Sequence, residues 1–238
     1  MNKQKVFESK PITQGALFDL KSNRFPCNVT GFCAENDAVI ARAGCKGTTT
    51  FGFVYEGPAS INYNGMQFQL STGMYFTIPG EFSLSGSKIM LIEYGFYNGF
   101  FNIGGPVENF GRLKYINGCT DSLLCFPLRK GDPCLNALYF PPGIKQTPHT
   151  HPSYRIGIVV EGNGHCITEA GEIPLEKGQV FVVLEEGIHS FNTERSFLNI
   201  VSFHPDSDFG PADEDHPMIN RTIIDGKSAN KSKYITGS

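Results

Sequence analysis

The strongest constraint on the fold is an internal repeat with an offset of 105 residues. Residues 51–80 align without a gap on residues 156–185, and seven of the thirty pairs are identical. The identical pairs include three glycines and the aromatic pair Phe76 and Phe181. Matching glycines indicate matching turns, because glycine is favoured where the backbone needs unusual dihedral angles. The sequence therefore predicts two copies of one β-unit, joined within residues 104–118.

The composition favours an all-β fold for both copies. The chain has 27 glycines and 15 prolines, which separate short β-rich runs in the way that is typical of sandwiches and barrels. No amphipathic pattern with the helical period extends beyond about three turns. We predict two tandem units, an N-terminal one over residues 1–110 and a C-terminal one over residues 111–238.

Charge and hydropathy argue against some partners. The net charge of −3 comes without a basic block, so nucleic acid is not an expected partner. No apolar run approaches the ~20 residues of a membrane span, and the first residues lack the apolar stretch of a signal peptide. The seven cysteines form no CxxC pair, which fits reduced thiols. We therefore expect a cytoplasmic protein without a membrane partner.

Half of the six histidines fall in one pattern. His149 and His151 are two residues apart in a PHTHP segment, and His189 follows 38 residues after His151. Residues i and i+2 of a strand point to the same face, so the first two imidazoles are expected side by side. Imidazole is a common ligand of Zn, Fe, Ni and Cu. The pattern predicts a metal site, with three unrelated structural histidines as the alternative.

The first copy has no such histidines. The same offset places His149 on Gly44, His151 on Lys46 and His189 on Leu84, and no histidine precedes His149. The first copy is therefore not expected to hold this metal. We expect its role to be structural: packing, dimer formation, or walling the cavity of the second copy.

These residues resemble the cupin superfamily, whose members are small β-barrels of the jelly-roll kind. Its first motif is matched by Gly143, His149, His151 and Gly162, and its second by Gly178 and His189, although the proline, glycine and asparagine of the second motif are replaced or displaced. The resemblance implies two tandem cupin barrels: a bicupin with a degenerate N-terminal cupin and a metal-binding C-terminal one. It also implies a homodimer.

One departure from the motif concerns its glutamate, normally a fourth metal ligand, which falls on Arg155. A guanidinium cannot ligate a cation, so His149, His151 and His189 would be three neutral ligands. Such a site attracts an anion. An inward arginine needs an anionic partner, and we weigh two: a substrate carboxylate or phosphate, or a nearby glutamate among Glu161, Glu185 and Glu186. A strand bulge that turns Arg155 to solvent is the third interpretation.

Three-histidine cupins that bind Fe(II) and activate O2 suggest a function by analogy. The expected activity is oxygen-dependent oxidation of a small carboxylate-bearing molecule that Arg155 anchors, with one divalent metal, Fe(II) favoured over Zn, Ni or Mn. A binding module for a small molecule or sugar acid without enzymatic activity is the alternative from another class, and a metal-dependent isomerase or lyase of carbohydrate metabolism is the third. His204 and His216 are expected at the surface.

Overall fold

The structure is a computed structural model that describes residues 6–34, 40–206, 223–224 and 227–228. The described residues contain strands and one 3-10 turn at Ile116–Gly118, and no α-helix. The predicted all-β class is confirmed. Within these ranges no helix is long and apolar enough to cross a membrane.

The strands form two large sheets and a short hairpin. In chain order they are β1 (Phe7–Pro11), β2 (Gly15–Asp19), β3 (Cys27–Cys33), β4 (Ala41–Ala43), β5 (Thr48–Tyr63), β6 (Met66–Leu70), β7 (Tyr75–Pro79), β8 (Phe82–Gly95), β9 (Asn102–Gly104), β10 (Leu113–Lys114), β11 (Thr120–Cys125), β12 (Cys134–Phe140), β13 (Arg155–Thr168), β14 (Gly171–Glu176), β15 (Gln179–Val183), β16 (His189–Asn192), β17 (Leu198–His204), β18 (Ile223–Ile224) and β19 (Lys227–Ser228). Among the described residues, the last two pair only with each other.

Each sheet is built around one long central strand. The first sheet has the order β2-β3-β8-β5-β7-β9, with β4 on β8 and β6 on β5. The second has the order β1-β15-β13-β17-β12-β11-β10, with β14 and β16 on β13. All of these pairings are antiparallel, as expected for jelly-roll connections.

The long strands β5 and β13 pair with their neighbours β7 and β15 in the same register, with equivalent residues 105 positions apart. Gly52 pairs with Phe76 across β5 and β7, and Gly157 pairs with Phe181 across β13 and β15. A Cβ atom on Gly52 would lie 2.0 Å from the Phe76 ring, and one on Gly157 would lie 2.3 Å from the Phe181 ring. Both glycines are therefore required because a phenyl ring covers the backbone at that position.

Three apolar cores organise the sheets. One cluster lies inside the first unit, around Phe76 and Ile78, and another lies inside the second unit, around Phe181 and Phe191. The third draws from both sheets and includes Phe51 and Phe203, whose ring centroids are 4.9 Å apart. Each buried side chain of this size contributes about 1.5–3 kcal/mol, so the shared core holds the two sheets together.

The N-terminal strand belongs to the second sheet. β1 pairs along its length with β15, and the ring of Phe7 stacks on Phe181 at 5.4 Å. This pairing covers an edge of β15 that would otherwise present unpaired backbone groups. The boundary between residues 110 and 111 stays a prediction, and residues 7–11 pair outside the sheet of the predicted N-terminal unit.

We predict that Gly157→Ala destabilises the protein because its methyl group overlaps the Phe181 ring. The expected loss is about 1–3 kcal/mol, as for other overpacked positions. Free energies of unfolding from denaturant titration measure it. Gly157→Ala combined with Phe181→Leu should lose less than the sum of the two single changes, because the smaller side chain gives the methyl group room. Additive losses would show that the ring contact is not the cause.

Candidate metal centre

The three predicted ligands lie together although two chain segments supply them. His149 and His151 precede β13, and His189 begins β16. The backbones of His149 and His189 exchange two hydrogen bonds of 3.0 Å, and the backbone N–H of Glu186 donates to the carbonyl of His151 at 2.8 Å. The backbone thus fixes all three histidines, and their nearest ring nitrogens lie within 4.8 Å of one another.

Hydrogen bonds orient two of the imidazoles. Nδ1 of His149 lies 2.9 Å from the carbonyl of Thr147, and Nδ1 of His189 lies 2.9 Å from the carbonyl of Gly187. A carbonyl oxygen only accepts, so each Nδ1 carries a proton and Nε2 is the nitrogen of each ring that is free to bind a metal. Such a hydrogen bond from the distal nitrogen is the usual support of a histidine that binds a metal.

Burial keeps the imidazoles of His151 and His189 neutral. It lowers the pKa of His151 to about 3, with Arg155 as the next cause. Burial also lowers the pKa of His189 to about 4, although the hydrogen bond to Gly187 opposes the shift. Metal ligation requires neutral imidazole, which both rings provide at neutral pH. The donor set, its orientation and its protonation therefore fit a divalent transition metal, and the triad can hold one.

Arg155 points into the second unit. It pairs with Val183, whose side chain belongs to the inner core, whereas its neighbours Tyr154 and Ile156 belong to the core shared by the two sheets. The strand is regular here, so the interpretation of a solvent-facing bulge is wrong. The guanidinium lies near enough to lower the pKa of both His151 and His189.

The partners of Arg155 differ from those weighed in the sequence. One terminal nitrogen donates to the Ser153 hydroxyl at 2.6 Å and to the Ser153 and Tyr154 carbonyls at 3.1 and 3.0 Å. The Ser153 hydroxyl donates in turn to the Asp206 carboxylate at 2.5 Å. Among the described residues, none of Glu161, Glu185 and Glu186 pairs with Arg155. Its buried Nε has no hydrogen-bond partner in this part of the chain.

His204 was expected to be a surface or capping residue, and it is instead half-buried on the inner face of the barrel. It pairs with Cys134 on β12, and the pair Ile156–Phe203 places it beside Arg155 at the next position of the ladder. Burial lowers the pKa of His204 well below the usual value, with Arg155 as the second cause. Alternate residues of a strand point to the same face, and Ile200 and Ser202 of β17 face the inside of the barrel. This alternation predicts that His204 also faces inward. His216 lies outside the described residues.

A buried carboxylate, which the sequence analysis did not single out, completes the inner wall. Asp121 is 2% exposed, and its Oδ2 accepts a hydrogen bond of 2.8 Å from the Asn136 amide, while its Oδ1 has no partner among the described residues. Tyr115 lies close to both Asp121 and Arg155, since both act on its pKa, which burial raises to about 12. The unit therefore contains a polar interior beyond the histidines.

Strand pairing corrects the alignment of the two copies at the site. His149 pairs with His189, as Ala43 pairs with Phe82 in the first sheet. Ile167 pairs with Ser190, and its counterpart at the repeat offset, Asn62, pairs with Ser83. Ser190 and Ser83 are therefore equivalent, and so are the residues that precede them, His189 and Phe82. Ala43 and Phe82 are thus the structural counterparts, instead of Gly44 and Leu84. Neither residue ligates a metal.

Comparisons with known proteins identify the fold. The family model described as AraC-like ligand binding domain matches residues 141–213, the segment that contains the three histidines. No curated protein matches the chain.

Solved structures match most of the chain at low identity. A cupin 2 conserved barrel domain protein from Leptotrichia buccalis has a TM-score of 0.58 at 14% identity, covering 85% of this chain and 90% of that one. The protein Ylba from E. coli has a TM-score of 0.57 at 17% identity, covering 89% and 95%. Salicylate 1,2-dioxygenase from Pseudoaminobacter salicylatoxidans, with gentisate adducts, has a TM-score of 0.55 at 14% identity, covering 75% and 67%. The chain has the cupin fold.

We predict that Asp121→Asn makes stability less dependent on pH. Burial raises the pKa of Asp121 from 3.8 to about 6, so the folded protein binds this proton more tightly than the unfolded chain. That contribution is complete below pH 3.8 and is lost as the pH rises through about 6. The neutral amide should therefore stabilise the metal-free protein at pH 8 by about 1–3 kcal/mol.

The measurement is denaturant unfolding of both proteins at pH 8 and pH 4. The advantage of Asp121→Asn should shrink toward zero at the lower pH, where the wild-type carboxyl is largely protonated. A variant that is equally or less stable at pH 8 would show that the ionised carboxylate is compensated inside the barrel.

Proposed function

We propose that this protein is a metal-binding bicupin whose C-terminal barrel is an Fe(II)-dependent dioxygenase for a small carboxylate-bearing molecule. The observation that carries the proposal is the position of Arg155. Its buried Nε, which has no hydrogen-bond partner among the described residues, lies on the inner face that also holds the three histidines, two of which are oriented by hydrogen bonds. The N-terminal barrel, with Ala43 and Phe82 at the ligand positions, is the degenerate copy.

His149, His151 and His189 would hold the metal. Bound Fe(II) would supply redox chemistry with O2, and Zn, Ni or Mn are the alternative metals for the same imidazoles. With three histidine ligands, the protein supplies no negatively charged ligand to compensate the positive charge of the metal. This charge and Arg155 favour an anion.

Arg155 would bind the substrate carboxylate. One terminal nitrogen is fixed by Ser153 and Tyr154, which leaves Nε as a donor without a partner in the described part of the chain. Such a guanidinium is suited to a carboxylate, and its fixed position reduces the ordering cost of binding. Val159 and Phe191, both in the inner core, would exclude water from the reacting part of the substrate.

The neighbouring structures support this substrate class. One of the matched structures is a salicylate 1,2-dioxygenase that carries gentisate adducts, and both names denote small aromatic carboxylates. The likeness is one of fold, so the activity is argued from the residues of this chain. A homodimer and a cytoplasmic location belong to the proposal as well.

The AraC-like family match favours a second candidate, a binding module that senses a small anion without turnover. The match covers residues 141–213, which carry the triad and Arg155. The dioxygenase and the binding module would both bind a small carboxylate, and only the dioxygenase would consume O2. Oxygen uptake with a panel of salicylate, gentisate and aliphatic hydroxy acids, on protein reconstituted with Fe(II), separates them. Uptake supports the dioxygenase, whereas binding of a carboxylate without uptake supports the binding module.

We predict that His149→Ala combined with His189→Ala abolishes metal retention. By inductively coupled plasma mass spectrometry, the untagged wild-type protein should contain near-stoichiometric metal. The double variant should contain none, because it has lost two of the three ligands. His165→Ala, which changes a half-buried histidine that pairs with Glu172 instead, is the matched control and should keep the metal. Wild-type protein that carries no metal after reconstitution with Fe, Zn, Ni or Mn would contradict the proposal.

We predict that Arg155→Met weakens carboxylate binding and leaves metal content unchanged. A charged hydrogen bond of this kind is worth about 1.5–3 kcal/mol, so the dissociation constant should rise at least about tenfold. Calorimetric titration of the metal-loaded protein with the best carboxylate of the panel measures it. Arg195→Met, which changes an exposed arginine, is the control. Unchanged affinity in Arg155→Met would remove the arginine from the site.

A further inference from the structure

The N-terminal barrel has its own cavity, separate from the metal centre. The cavity has a volume of about 310 Å³ and is lined by residues from β2, β3, β4, β5 and β8. It is within the size range of small-molecule sites. Its walls are apolar on one side, at Phe32, Leu84 and Leu91, and polar on the other.

The polar side of the cavity is a single row across the sheet. Thr50 on β5 pairs with Glu93 on β8, and Glu93 pairs with Asn28 on β3. Paired residues point the same way with Cβ atoms about 5 Å apart, and all three line the cavity. Phe51 and Ile92 point the opposite way, into the core shared by the two sheets. The carboxylate, the hydroxyl and the amide therefore face one space.

Two groups in this row have unmet hydrogen-bonding capacity. Thr50 is 1% exposed, and its Oγ1 has no partner among the described residues. The Glu93 carboxylate has the Cys45 thiol at 3.8 Å as its hydrogen-bond partner and no ion pair in this part of the chain. A buried hydroxyl without a partner is unfavourable, and a ligand that donates hydrogen bonds would satisfy both groups.

The charged residue of this row, Glu93, has the opposite sign to Arg155 in the second barrel. Thr50 and Glu93 occupy the positions that Arg155 and His204 occupy around the equivalent pairs Phe51–Ile92 and Ile156–Phe203. An inward cation and a neutral imidazole are thus replaced by a hydroxyl and an inward anion. A cavity that offers a carboxylate and hydroxyl acceptors selects a cationic donor, as the second barrel is suited to an anion.

We propose that the cavity of the N-terminal barrel is a second binding site, for a small molecule with a primary amine. The ammonium group binds Glu93 and Thr50, and the alkyl part contacts Phe32, Leu84 and Leu91. Arg42, an exposed residue that also lines the cavity, is placed to contact a carboxylate if the amine is part of an amino acid. The site needs no metal and does not depend on the activity of the C-terminal barrel.

The test is ligand-observed saturation-transfer NMR with n-butylamine, γ-aminobutyrate, n-butanol and butyrate. Titration reaches about 10 mM, above the dissociation constant of a weak millimolar site. The two amines are expected to bind and the alcohol and the acid are not. Tighter binding of γ-aminobutyrate than of n-butylamine would identify amino acids as the source of the amine. Binding of butyrate alone, or of no compound, would overturn the proposal.

Variants locate the binding. Glu93→Gln should weaken n-butylamine binding about tenfold or more by removing the charge, and Thr50→Val should weaken it with the shape of the cavity kept. Glu81→Gln, an exposed control of the same chemistry, should bind as the wild type does. His149→Ala combined with His189→Ala should also bind normally, which separates this site from the metal centre. Unchanged binding in a folded Glu93→Gln or Thr50→Val variant would overturn the assignment.

Discussion

The long central strands β5 and β13 are apolar on one face and enclosed on the other, and this constraint determines where the chemistry of the protein can lie. In β13, Ile156 and Ile158 point into the core shared by the two sheets, while Gly157 and Val159 point into the barrel. A polar residue on the inner face, such as Arg155, is therefore removed from bulk water. It must find partners inside the barrel or in a ligand.

The polar interior of the second barrel follows from this enclosure. Burial favours the neutral form of His151, His189 and His204, so these rings add donors and acceptors without adding charge. Arg155 is the inward cation, and burial lowers its pKa while the nearby Asp206 opposes that shift. The interior of this barrel thus combines one fixed guanidinium and neutral rings with the buried carboxyl group of Asp121.

The sequence predicted the all-β class and the approach of the three histidines because both depend on local periodicity and on glycines at fixed positions. The cupin fold was expected from the resemblance of the histidine and glycine pattern to the cupin motifs. The partners of Arg155 could not be predicted. Ser153 and Asp206 are far apart in sequence and meet only when β17 pairs beside β13. The inward position of His204 could be read from strand alternation, but its place at the end of a strand suggested exposure. Asp121 gave no signal, since a single acid in an apolar strand fits a surface as well.

The two barrels place different polar residues at equivalent positions of one scaffold. The contacts that form the scaffold are kept: Gly52 lies under Phe76 as Gly157 lies under Phe181. The inner row next to them differs: Arg155 and His204 in one barrel correspond to Thr50 and Glu93 in the other. Backbone pairing tolerates such replacement because inner side chains at the end of the barrel do not form the apolar core. Selection on ligands can therefore act on this row without loss of the fold.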